Sequence, residues 1–222
     1  MNLPFTTEEF LVVFEQYNQS VWPFQVILNL LALGSLILAF KRIRHSEKII
    51  PGILAFFWLW IGIAYHLAFF AAINPAARVF GVLNIVQGIV FLYFGVFKGR
   101  LSFRFPIDIY GITGSLLILY ALILYPLIGY FLGHVYPKAP TFGLPCPTTI
   151  FTFGLLLWTA RKLPKVVLVI PFVWSLIGFS AALTMGIHED IGLLVAGIVA
   201  TVLILIREKN ALDAALGVGH VA

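Results

Sequence analysis

TFGLPCPTTIFTFG, residues 141 to 154, decides how many times this chain crosses a membrane. It holds the only cysteine, Cys146, between Pro145 and Pro147, and runs into an apolar segment that ends at Arg161. A helix needs about 20 residues to cross roughly 30 Å of hydrocarbon, which would place the start of this span near Thr141. Only thirteen residues, 148 to 160, follow the last proline before Arg161. Each proline removes a backbone donor and disfavours helical geometry in the residue before it. The expectation is an extended or turned segment, then a helix with Pro147 as its first residue. Such a start inside the bilayer exposes unpaired N–H groups, tolerable only where protein or a water-lined cavity satisfies them.

Composition makes lipid the solvent. Hydrophobic residues are 61% of the 222 and charged residues 10%, with a mean hydropathy of +1.04. A soluble domain needs about 25% charge. The first 20 residues contain no Lys or Arg and carry Glu8, Glu9 and Glu15, so no basic signal region is expected there. One cysteine permits no internal disulfide. Although the net charge is +5, the basic residues are scattered among short loops, which fits membrane topology and not nucleic-acid binding.

Apolar runs place spans near 21–40, 50–73, 79–97, 109–132, 141–160, 166–186 and 190–206. The loops after the first, third, fifth and seventh hold twelve of the fourteen Lys and Arg residues: Lys41, Arg42, Arg44 and Lys48; Lys98, Arg100 and Arg104; Arg161, Lys162 and Lys165; Arg207 and Lys209. Arg78 and Lys138 are left for the other side. The expectation is an all-α integral membrane protein, a single domain over residues 1–222, built as a seven-helix bundle with its N-terminus outside and C-terminus inside. Thr6 to Glu9 fits a capping box, and Phe10, Val13, Phe14 and Tyr17 recur at helical spacing. A short amphipathic helix on the outer interface follows, either frayed or covering the outer mouth of the bundle.

Given that direction, the polar residues of the spans collect in the outer half. Gln25 and Asn29 lie one turn apart in the first span, and Asn84 and Gln87 share a face of the third. His66 sits seven residues before the outer end of the second span, about 10 Å deep. Amides and an imidazole in hydrocarbon need partners. Together with Cys146, Thr148 and Thr149, they are candidates for an outward polar pocket that binds a small solute or ion, or else for structural glue between helices. His66 and Cys146 are also the candidate metal ligands, with His134 or His188 as possible third members, since thiolate and imidazole suit zinc or copper. No recognised ligand spacing supports a particular metal, and no cofactor is indicated. His188, Glu189 and Asp190 precede the last span, where acids can cap a helix start. His45 and His220 read as solvent groups.

Ile73-Asn74-Pro75-Ala76-Ala77, Gly133-His134-Val135-Tyr136-Pro137 with the run from Thr141 to Leu155, and Glu189 to Gly197 resemble a bacterial family of small multi-span proteins of unassigned function, some labelled permeases. That resemblance implies the bacterial cytoplasmic (inner) membrane and supplies no binding residue. Three functions compete. One is a permease-like or sensor protein with an outward pocket; the second, a membrane-embedded metal- or thiol-dependent enzyme using His66 and Cys146; the third, a structural or assembly subunit. The inner halves of the spans are nearly uniformly apolar, which counts against simple transport.

Overall fold

The computed structural model describes residues 4–41 and 43–215. Arg42 and His220 lie outside the described residues. The fold is all-helical: α1 (Thr7–Val21), α2 (Phe24–Lys41), α3 (Ser46–Trp60), α4 (Ala77–Phe91), α5 (Ile109–Leu119), α6 (Tyr125–Phe131), α7 (Pro145–Leu157), α8 (Val166–Met185) and α9 (Ile191–Ala215). Three π-helical segments widen the path: Ile61–Leu67 continues α3, Leu92–Phe97 continues α4, and Tyr120–Leu124 joins α5 to α6.

Among the described residues, six helical stretches are long and apolar enough to cross a membrane, and α7 is a shorter apolar helix. Thirteen residues at 1.5 Å each give about 20 Å, so α7 is no full-length span. Its burial explains how it can be short. Nearly every side chain from Pro145 to Leu157 is buried, while α2, α3, α4, α8, α9 and α5 follow one another around it. The outer faces of those helices expose Leu30, Val79, Ile112, Val195 and Leu183, an apolar surface suited to lipid.

Backbones must approach closely for seven helices to pack so tightly. A Cβ on Gly154 of α7 would sit 2.8 Å from the Gly114 carbonyl of α5, and one on Gly114 would sit 2.7 Å from the Gly154 carbonyl. Gly62 and Gly81 meet in the same way where α3's π segment crosses α4. Small residues at such crossings replace the hydrophobic driving force that lipid removes.

The first turn of α7 corrects the sequence-based expectation. The helix begins at Pro145, not Pro147, with Leu144 as its extended N-cap. Both prolines fit because N–H groups in a first turn have no intrahelical partner to lose. With prolines at the first and third positions, Cys146 carries the only N–H of those three residues. The Thr148 N–H already reaches the Leu144 carbonyl at 3.3 Å. The anticipated array of unpaired donors is therefore reduced to one. At the opposite end, Arg207 donates to the carbonyls of Leu157 and Thr159, 3.0 Å each, closing the C-terminus of α7 with a cation as the helix dipole favours. Arg161 donates to the Gly99 carbonyl and lies 3.8 Å from Glu47, so three loops rich in Lys and Arg meet at this basic end.

Pro171 inside α8 cannot bond the Val167 carbonyl four residues back. Gln87 of α4 donates to that carbonyl at 3.1 Å. Replacing Gln87 with Leu is expected to lower stability by about 1–2 kcal/mol by orphaning a buried acceptor. In a Pro171→Ala background, where residue 171 can supply the bond itself, the same change is expected to cost less than half as much. Thermal unfolding of the four detergent-purified variants measures the coupling; additive losses would show that Gln87 does not serve the proline gap.

Candidate functional site

At the end opposite the basic loops, α1 lies across the bundle. Its capping box forms as the sequence implies: the Glu9 N–H donates to the Thr6 hydroxyl and the Thr6 N–H to the Glu9 carboxylate. Those bonds from Thr6 hold the Glu9 carboxyl below its ordinary pKa. Phe10, Val13, Phe14 and Tyr17 are buried, so the helix covers the mouth and is not a frayed tail.

Asn18 fastens it there. Its amide donates to the carbonyls of Pro137 (2.6 Å) and Ala139 (2.8 Å), while its oxygen accepts from Gln25 (2.6 Å) and Thr141 (2.8 Å). One fully buried side chain thus ties α1, α2 and the segment leading into α7. Beside it, Trp60 donates to the Tyr17 hydroxyl at 2.7 Å, and burial pushes the Tyr17 phenol up to about 12.

Beneath α1 is a cavity of about 510 Å³, within the range of small-molecule sites. Exposed Pro4, Ala76, Ser180 and Thr184 form its rim. Eight Phe, Tyr and Trp side chains line it, and the polar groups beneath its rim include Tyr65, His66, Asn74, Tyr125, Cys146, Trp174 and Asp190. His66 is fully buried in the π segment of α3, with neither ring nitrogen hydrogen-bonded among the described residues. It is packed edge-on against Phe80 and Trp174. The Trp174 indole N–H is also without a partner. Tyr125, just past the π segment Tyr120–Leu124, donates to Asp190 Oδ1. π turns rotate the side chains that follow them and often mark functional sites; here two of them set His66 and Tyr125 on the cavity.

Of the eight sequence candidates, the structure brings His66 and Cys146 to this cavity. Five of the other six are bonded elsewhere, and Thr149 does not line it. Gln25 belongs to the Asn18 cluster; Asn29 donates to the Gln25 carbonyl and Asn84 to the Phe80 carbonyl on their own helices. Gln87 points to the start of α8, Thr148 accepts from the Gly143 N–H, and the buried Thr149 hydroxyl has no partner among the described residues. Sharing a half of the membrane is not sharing a face, and the single pocket expected of all eight does not form.

As metal ligands, His66 and Cys146 lack company: among the described residues no three His, Cys, Asp or Glu side chains come together as a metal-holding group. His134 instead lies 2.7 Å from Glu189 Oε1, and His188 is exposed. Glu189 and Asp190, just before α9, engage His134 and Tyr125 with their side chains. Asp190, read from the sequence as an acid at a helix start, lines the cavity, as do Asn74 and Trp174, which were not among the candidates. The available signal for Asp190 was its position at the same membrane level as Tyr125.

The profile of a family described as Family of unknown function (DUF6064) matches residues 7–214. The chain belongs to that family. The match runs from the first residue of α1 nearly to the end of α9, so the covering helix is part of the family's fold. No curated protein and no solved structure matches the chain significantly.

Asn18→Ala is expected to destabilise the protein by roughly 2–4 kcal/mol, since it strands four buried or half-buried partners on two other segments. It is also expected to speed alkylation of Cys146 by iodoacetamide severalfold below the melting temperature. An unchanged alkylation rate would show that Asn18 stabilises the fold without holding α1 over the cavity.

Proposed function

We propose that this membrane-embedded protein binds a small molecule in the cavity beneath α1 and acts as a receptor or sensor. The observation that carries the reading is a roomy aromatic cavity presenting buried, unpartnered hydrogen-bonding groups, His66 and the Trp174 indole. Buried polar groups normally find partners within the protein. Where they face a cavity instead, a ligand is the group that can supply them.

Binding is favoured over passage because the cavity is blind. Between it and the basic end, α7 packs Phe151, Phe153, Leu155, Leu156 and Leu157 with no exposed side-chain surface. Transport would require that packing to open.

The expected setting is the bacterial cytoplasmic membrane, with α7 counted as a seventh, internal membrane helix, the N-terminus and cavity outside and the basic loops inside. Supporting that orientation is the gathering of Arg161, Arg207 and the 43–48 and 98–104 loops at one end, as the positive-inside rule requires. On this reading Gln25, Asn29, Asn84 and Gln87 serve as interhelical or local bonds and the ligand is read by cavity residues.

Cys146 is half-buried and is the chain's single thiol, so it reports on both access and sidedness. A membrane-impermeant maleimide is expected to label it in right-side-out vesicles, and Ala181→Trp, which fills the cavity, is expected to slow that labelling at least about tenfold. Labelling confined to inside-out vesicles would overturn the orientation. No labelling before denaturation would overturn an accessible binding cavity.

A further inference from the structure

The cavity's chemistry narrows what it can hold. Phe10, Tyr65, Phe70, Phe80, Tyr125 and Trp174 all line it. Among its described lining residues the one acidic side chain is Asp190, and none is Lys or Arg. Asp190 is 7% exposed and is met by the neutral Tyr125 hydroxyl. A carboxylate in apolar surroundings is costly unless an opposite charge meets it. Aromatic faces attract cations, Trp most strongly. Fully buried His66 has, among the described residues, two unbonded ring nitrogens, one of which in a neutral imidazole accepts a hydrogen bond.

An anion would be repelled by Asp190, and a neutral apolar molecule would leave the acid and the imidazole unmet. We infer that the ligand is an organic cation, an ammonium group on an apolar body, held by Asp190, the ring faces and an acceptor nitrogen of His66. This deepens the binding reading above and rests on it. Glu189, the adjacent acid, is already engaged by His134 at 2.7 Å, which leaves Asp190 as the charge on offer to a ligand.

The test compares benzylamine, charged at neutral pH, with benzyl alcohol and benzoate, which keep the ring and change the charge. Each is added to the detergent-purified full chain while alkylation of Cys146 by iodoacetamide is timed. Benzylamine is expected to slow the reaction at concentrations where the other two have no effect. Asp190→Asn, which keeps an acceptor for Tyr125, is expected to raise the half-protecting concentration at least about tenfold, as loss of a charge-assisted bond predicts. Trp174→Leu, which keeps the acid and removes the ring, is expected to raise it severalfold.

Equal protection by benzyl alcohol or benzoate would overturn the cation assignment and leave a binding cavity standing. So would protection by benzylamine that survives in both variants, or an alkylation rate that none of the three compounds changes. The vesicle labelling experiment decides the binding reading separately, because it needs no ligand.

Discussion

A short helix packed among its neighbours along its length must find partners for its ends, and that constraint organises this molecule. α7 must satisfy its termini from within the protein. Prolines at its first and third positions remove donors that would have no intrahelical partner, and Arg207 supplies the bonds at its other end. Its short length then leaves space above Pro145 that no span fills. The cavity exists because a central helix stops short and α1 folds across the opening.

Covering that opening carries its own requirement. An amphipathic helix resting on a bundle would be held by apolar contact alone, which is weak where lipid competes equally well for apolar surface. Asn18 supplies the specificity, with both its donors and its acceptor oxygen engaged on other segments. Polar bonds of this kind fix one arrangement among several of similar apolar contact. The same logic applies to Gln87 at the proline gap of α8. Most of the intramembrane amides hold the scaffold, and the scaffold places the few polar groups left facing the cavity.

Membrane class, helix positions and the amphipathic first helix were legible in the chain because each depends on local composition. A window of twenty apolar residues, a capping box or a run of basic loops can be read without knowing any neighbour. The fate of His66, Gln87 and Asp190 was not legible, because it depends on helix rotation. One π turn shifts every later side chain by a large fraction of a face. Nothing in Ile61 to Leu67 or Tyr120 to Leu124 announces that the ladder widens there.

The sequence by itself determined that this chain lives in lipid as a helical bundle, since only helices satisfy such an apolar backbone internally. It also determined that the stretch around Cys146 could not be an ordinary span, since prolines at 145 and 147 disfavour a helix that enters from upstream of them. Only the tertiary structure decided that α7 is central and that α1 closes a cavity over it. It alone brought Asp190 to the same cavity as His66, Cys146 and Trp174. Depth follows from counting residues along one helix, whereas a site requires the azimuth of several helices at once, and azimuth is set by packing.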